Sequence, residues 1–71
     1  MKDKLLVKFG NKVREQRLKL HLSQEELAAK AGVHRTYIGM IERAEKNITL
    51  LNMRRIARAL QVPISQLLQE L

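Results

Sequence analysis

The chain is short and strongly basic. Its 71 residues hold 14 Lys and Arg against 7 Asp and Glu, which gives a formal charge of +7 at neutral pH. It contains no cysteine, so disulfides and thiolate metal sites are excluded. A chain of this length forms one small domain, residues 1–71, near the lower limit for folding without cross-links. The charge excess favours a polyanionic partner, most simply nucleic acid.

The composition also argues against a membrane protein and against an enzyme. The longest apolar runs fall well short of the ~18 residues of a membrane span, and the N-terminal run is too short for a signal peptide. We therefore expect a soluble, cytoplasmic protein that does not contact a membrane. The sequence shows no Ser–His–Asp, Cys–His or metal-ligand pattern, and its three glycines stand apart instead of forming a phosphate-binding loop. It predicts no catalysis, no metal and no cofactor.

Apolar residues recur at helical spacing in five segments, and no segment alternates as a strand would. This pattern predicts an all-α, compact five-helix bundle. The first helix is expected over residues 4–20. His21 follows it, where the backbone must take a left-handed conformation at modest cost or end the helix differently. The inner face of this helix is expected to carry Leu6, Phe9, Val13 and Leu20.

The second helix has a clear beginning and a clear end. Ser23 and Glu26 have the spacing of a capping box, in which each side chain bonds the backbone N–H of the other residue. Gly32 stops the helical pattern, because glycine takes the left-handed conformation without a Cβ penalty. Ala28, between them, is small enough for the next helix to pack closely.

The third helix starts at Val33 or His34 and turns Ile38 and Ile41 inward. Two short helices joined by a tight turn are the layout of a helix-turn-helix, which holds its second helix in the major groove of DNA. The outward positions of that helix are Arg35, Thr36, Gly39, Met40 and Arg43.

Two further helices complete the chain. Thr49 is a natural N-cap for the fourth helix, and Pro63 suits the first turn of a fifth helix that continues to Leu71. These segments carry more apolar residues than a small monomer can bury. We therefore predict a symmetric homodimer in which the same patch of each protomer meets itself. The predicted interface residues are Ile48, Leu50, Leu51, Ile64, Leu67, Leu68 and Leu71.

Further residues extend the pattern of a known family over nearly the whole chain: Phe9-Gly10, Val13-Arg14, Arg17, Leu22 to Ala28, Leu51, Ile56-Ala57, Ala59-Leu60, Val62-Pro63 and Leu67-Leu68. With residues 23–43, they resemble the Cro and lambda-repressor type (XRE-like) family of bacterial and phage regulators. Residues 34–38, 41–43, 47–50 and 59–60 are most similar to the small controller proteins of restriction-modification systems.

The resemblance implies a lambda-repressor-like fold with the helix-turn-helix at helices two and three. It also implies a regulator of its own gene and of a neighbouring endonuclease gene. Such a regulator binds an operator in double-stranded DNA as a homodimer. It activates at low dimer occupancy and represses when a second dimer binds the adjacent site.

The start of the third helix is the part that reaches base edges in this motif. Arg35 is the first candidate for base contact, because a guanidinium can bond guanine O6 and N7 together, which gives roughly 1–3 kcal/mol of discrimination. The resemblance adds Thr36 and Met40, although Met40 could instead pack between helices. Gly39, on the same face, would let the backbone approach the groove closely.

Phosphate contacts are expected from helix starts and from flanking polar side chains. The candidates are Gln24, which matches a phosphate-contacting position of the family, and His34, Tyr37, Arg43, Lys46 and Asn47. Tyr37 could instead be a half-buried core residue with its hydroxyl in water. The resemblance also implies a structural ion pair between Arg17 and Glu42, and a contact of Glu25 with RNA polymerase.

Three other functions remain open at this point. A phage or plasmid repressor shares many of the same residues. An antitoxin-type interaction module would bind a toxin and repress its own operon, although no segment beyond the fifth helix is expected to wrap a partner. A sequence-indifferent nucleic-acid binder would spread its charge without a reading helix, and the helix-turn-helix with Arg35 argues against it.

Overall fold

The computed structural model describes residues 2–69 and 71. Its helices are α1 (Lys4–Lys19), α2 (Gln24–Ala31), α3 (Arg35–Glu42), α4 (Leu50–Ala59) and α5 (Ile64–Leu67). These described residues contain no strand, so the prediction of an all-α protein with five helices is confirmed. None of these helices is both long enough and apolar enough to cross a membrane.

The helix starts follow the local signals of the sequence. Ser23 Oγ accepts from the backbone N–H of Glu26 at 2.9 Å, and Glu26 accepts from that of Ser23 at 2.8 Å, which is the predicted capping box. Thr49 Oγ1 caps α4 by accepting from the N–H of Asn52 at 3.1 Å. Asp3 caps α1 in the same way, with the N–H of Leu5 as donor. Each side chain satisfies a backbone donor that the first turn leaves without a partner.

The ends of α1, α3 and α4 share one backbone conformation that glycine normally supplies. His21 (φ 57°), Ala44 (φ 60°) and Gln61 (φ 61°) are left-handed, as is Gly32 (φ 73°) after α2. At α1, for example, His21 N–H bonds the carbonyl of Leu18 and the following N–H bonds that of Arg17. These two hydrogen bonds form a Schellman motif, which satisfies the last carbonyl groups of a helix. His21 thus takes the left-handed alternative.

The core lies where α2, α3 and α4 meet α1 and α5. Its largest fully buried side chains are Val13, Leu27, Ile38, Ile56, Leu60 and Leu67. Burial of an aliphatic side chain contributes roughly 1.5–3 kcal/mol, so these contacts hold α3 firmly on the rest of the domain. Ala28 is buried, as close packing of α2 on α3 requires.

Two of the predictions about the helices are wrong. The fifth helix was expected to reach Leu71, but α5 ends at Leu67 and a turn follows it. Leu20 was expected on the inner face of α1, but it is the C-cap of that helix and 38% exposed. Leu20 lies at the very end of α1, beyond Arg17, which is the last buried residue of this helix, so little of the core is left to cover it.

Candidate nucleic-acid interface

The N-terminal end of α3 is exposed to solvent, while the opposite face of the helix is anchored in the core. His34 is the N-cap of this helix, and its Nδ1 accepts from the backbone N–H of Thr36 at 3.1 Å. Ile38 and Ile41 anchor the opposite face in the core. Arg35 and Thr36 are therefore exposed at the capped end of a short, well-seated helix.

The side chain of Arg35 is held by an acid of the neighbouring helix. Its Nη1 donates to Glu25 Oε2 at 2.9 Å, and both side chains are exposed, by 68% and 72% respectively. This ion pair crosses the turn of the helix-turn-helix, from the first turn of α2 to the first residue of α3. Exposed pairs of this kind stabilise a fold by about 0–1 kcal/mol, so Arg35 can exchange its partner at little cost.

Gly39 differs from its predicted exposure, while its predicted approach to the DNA groove stays a prediction. It was expected to lie open on the outer face of α3, but it is buried. A Cβ at this position would lie 2.9 Å from Arg43 Nη1 and 3.5 Å from Gln24 Oε1. The side chains of Arg43 and Gln24 thus cover Gly39, and its lack of a side chain lets them approach α3.

Arg17 and Glu42 form the ion pair that the family resemblance implied. Arg17 Nε donates to Glu42 Oε2 at 2.7 Å and Arg17 Nη2 to Oε1 at 3.0 Å. The two side chains are only 10% and 4% exposed. Arg17 Nη1 also donates to the carbonyl of Leu22 at 2.7 Å, and Gln24 Nε2 donates to Glu42 Oε1 at 3.1 Å. This network joins α1, the start of α2 and the end of α3.

Tyr37 lies at the junction of α3 and α4. It is half-buried and packs against the core, and its hydroxyl accepts from Asn52 Nδ2 at 3.1 Å. Sequence reasoning did not single out Asn52. The available signal was a polar residue among the apolar positions that open α4.

The remaining candidates do not form one cluster. One groove, between α2 and α3, is lined by Gln24, Glu25, Arg35, Thr36, Gly39 and Arg43. Arg43 is exposed there and bonds Glu45 at 2.9 Å. Lys46 is exposed in the loop after α3, and Met40 is half-buried. Asn47 lies apart from this groove, because it lines an apolar hollow with Phe9 and Leu68.

The residues predicted to form a dimer interface divide into exposed and buried ones. Leu50 and Leu51 are 68% and 48% exposed, and Leu68 and Leu71 are also exposed. Ile48 and Ile64 are half-buried. Leu67 is wholly buried inside the protomer, so its assignment to the interface is wrong. It faces the core because α5 turns this position inward.

A capped, exposed reading helix, packed at a tight turn against the helix before it, defines a helix-turn-helix protein. Residues 13–67 match the family model described as "Helix-turn-helix", and the chain belongs to this family. Control protein C.BamHI of Bacillus amyloliquefaciens is 45% identical over 69 residues, which are 96% of this chain and 85% of that protein. Control protein C.SmaI of Serratia marcescens is 48% identical over 60 residues, which are 84% and 71% of the two chains.

The solved structures agree with these relatives. The restriction-modification controller protein C.AhdI from Aeromonas hydrophila has a TM-score of 0.86 and 44% identity, covering 87% of this chain and 94% of that one. The resemblance to controller proteins, inferred from residues 34–38, 41–43, 47–50 and 59–60, is therefore confirmed.

Proposed function

We propose that α3 reads an operator in the major groove and that the chain regulates transcription as a restriction-modification controller does. The observation that carries this proposal is the position of Arg35 and Thr36 at the exposed, capped start of a helix anchored by Ile38 and Ile41. Arg35 bonds a guanine edge through two N–H groups, and Thr36 bonds a base edge or packs on a thymine methyl. Met40, half-buried further along the helix, adds at most an apolar contact.

Phosphate contacts surround this reading surface. The backbone N–H groups at the start of α2 and the side chains of Gln24, Tyr37, Arg43 and Lys46 supply donors. His34 acts mainly by capping α3. The net charge of +7 adds a sequence-independent attraction that weakens as salt increases.

A homodimer extends the reading surface. One α3 contacts only a few base pairs, whereas two α3 helices about 34 Å apart read two half-sites one helical turn apart. Leu50, Leu51 and the half-buried Ile64 line a shallow groove on the face of α4 and α5, which suits a two-fold contact. Protomers of 29 × 23 × 22 Å fit this spacing side by side.

The oligomeric state tests this part of the proposal. Sedimentation at tens of micromolar should show a dimer, and Leu51→Glu should give a folded monomer with weaker operator binding. Leu51 is 48% exposed in the protomer, so the charge does not disturb the core. A parent protein that sediments only as a monomer would contradict the dimer.

As a controller protein, the chain would both activate and repress transcription, depending on how many dimers are bound. One bound dimer activates transcription of the protein's own gene and of an endonuclease gene, with Glu25 contacting RNA polymerase, and a second dimer on the adjacent site represses. Such a regulator acts on DNA in the bacterial cytoplasm. Glu25→Ala tests the polymerase contact, because a protein that still activates fully would remove it.

The decisive experiment compares selected with scrambled duplexes at one salt concentration. The parent should prefer the selected duplex, and Arg35→Ala should lose roughly 1–3 kcal/mol of that preference per half-site. Arg35→Lys keeps the charge but loses the planar fork, so it should keep overall affinity better than it keeps discrimination. If Arg35→Ala, still folded, selects its duplex as sharply as the parent, the proposal fails.

A further inference from the structure

The bond between Tyr37 and Asn52 joins the reading helix to the helix that carries the exposed leucines. Tyr37 is on α3 and Asn52 on α4, and the Nδ2-to-hydroxyl distance is 3.1 Å. Both residues are half-buried, so solvent does not surround this contact on all sides. It fixes one end of the phenol relative to α4.

The polarity of this bond follows from a third residue. Arg55 Nη1 lies 3.4 Å from Asn52 Oδ1. A guanidinium has only donors, so the amide oxygen of Asn52 faces Arg55 and the amide nitrogen faces Tyr37. The Tyr37 hydroxyl therefore accepts from Asn52 and keeps its own O–H for a different acceptor.

We propose that Asn52 is a positioning residue for DNA binding, which orients the Tyr37 hydroxyl to donate to a phosphate oxygen of the operator. The inference rests on the proposed function and names a residue on α4 that acts through Tyr37. A phosphate oxygen fits because it is an acceptor without a competing donor, and hydrogen bonds to charged groups are the stronger ones. Arg35 and Thr36, which directly precede Tyr37 in the chain, are exposed on the surface that we assign to DNA.

Asn52→Asp tests the polarity without disturbing the helix. Asn52 is the third residue of α4, and its N–H bonds the capping Thr49. An acid at this position favours a helix start, so the variant should unfold at or above the melting temperature of the parent. The introduced carboxylate only accepts, so the Tyr37 O–H turns toward it and away from the phosphate. We expect operator affinity to fall about tenfold or more per half-site.

Tyr37→Phe provides the matched background. It removes the hydroxyl and keeps the ring, so it should weaken binding by about as much as Asn52→Ala, and the two together by no more than either alone. In these two variants and in the double variant, the slope of log affinity against log salt concentration should stay at the parental value, because none of them removes a cation. In the Tyr37→Phe background there is no hydroxyl to turn away from the phosphate. Asn52→Asp should then lower operator affinity only through the repulsion between the added negative charge and the DNA.

The outcomes separate the two levels of the argument. A parent that does not prefer a selected duplex overturns the proposed function, and this inference with it. If the parent selects its duplex but Asn52→Asp and Asn52→Ala bind as it does, only the role of Asn52 is overturned. The same holds if Asn52→Asp weakens binding equally with and without the Tyr37 hydroxyl, or if Tyr37→Phe binds as the parent does.

Discussion

Arg35 and Glu25 form an ion pair across the turn of the helix-turn-helix, with 2.9 Å between Nη1 and Oε2. The residue proposed to read guanine is thus held by an acid on the same exposed surface. A bidentate bond to guanine uses two of the five N–H groups of the guanidinium, and Glu25 takes one. We expect Arg35 to turn away from Glu25, at least in part, when it reaches for a base edge. We therefore propose that Glu25 competes with the operator for Arg35.

Glu25→Gln should tighten operator binding. An exposed ion pair contributes about 0–1 kcal/mol to stability. In the parent this energy is lost when Arg35 turns from Glu25 to a base, whereas the variant has no such pair to lose. We expect up to about fivefold higher affinity per half-site at low salt, with a gain that shrinks as salt screens the pair. Fluorescence anisotropy over a salt series measures this.

Glu15→Gln is the matched control, because it removes the same charge from an exposed ion pair on α1. It changes the net charge equally but frees no residue of the reading helix. Equal affinities for the two variants would show that the Arg35–Glu25 contact does not restrain binding.

Glu42→Gln should destabilise the domain strongly. Glu42 accepts two bonds from Arg17 in a site where its side chain is only 4% exposed. Removing one partner of a buried pair costs about 3–5 kcal/mol, since the remaining charge stays in a poorly solvated place. Urea denaturation measures the loss. Glu45→Gln breaks the exposed pair with Arg43 and should change the free energy of unfolding by less than about 1 kcal/mol; a similar loss in both variants would contradict this account.

Gly10→Ala should also destabilise, although alanine is the better helix former. A Cβ at Gly10 would overlap the carbonyl oxygen of Ile41 and lie 2.9 Å from that of Glu42. These are backbone atoms at the end of α3, so α1 and the reading helix would have to move apart. Overpacking of this kind costs about 1–3 kcal/mol. Asn11→Ala, on the exposed side of α1, should instead leave stability unchanged or slightly higher in the same urea titration.

Much of the fold follows from local signals in the sequence. Ser23, Gly32 and Thr49 mark helix ends because a hydroxyl or a missing Cβ satisfies the backbone there. The left-handed residues Ala44 and Gln61 carry no such signal, since their side chains disfavour that conformation and only the packing around them imposes it. The end of α5 was missed for the opposite reason, because apolar spacing continues beyond the last residue that the core can hold.

The candidate site, too, is only partly predictable from local patterns in the sequence. Periodicity alone places Arg35 and Thr36 outward on α3, and a capped short helix leaves them exposed there. Periodicity cannot show that the flexible side chain of Arg43 lies over Gly39. The contact of Tyr37 with Asn52 joins residues 15 positions apart, and no local pattern encodes such a pair.

His21→Gly and Gln61→Gly should each stabilise the protein. Both residues are exposed and hold φ values of 57° and 61°, at a cost of about 1 kcal/mol that glycine avoids. For a domain of this size, 1 kcal/mol corresponds to a rise of roughly 4–8 °C in melting temperature. Ala29→Gly, at an exposed position within α2, should lower it instead. If all three variants melt lower than the parent, the left-handed turns are not strained.

Glu26 should make the stability of the domain depend on pH in the acidic range. The backbone N–H of Ser23, followed by its hydroxyl, holds the pKa of the Glu26 carboxyl below its ordinary value. A lowered pKa means that the charged form is favoured in the folded state. Its stabilisation is therefore complete above the unfolded-state pKa of about 4.3 and disappears as the pH falls through the lower, folded-state value.

Glu26→Gln should accordingly differ from the parent most at neutral pH, and the difference in free energy of unfolding should narrow as the pH falls below about 4.3. Ser23→Ala is the informative companion, because it removes the hydroxyl but keeps the backbone N–H, the larger cause of the shift. It should retain most of this pH dependence. Urea titrations at a series of pH values between 7 and 3 decide the matter. A gap between the parent and Glu26→Gln that stays constant or widens in acid would show that the capping carboxylate is not selectively stabilised in the folded protein.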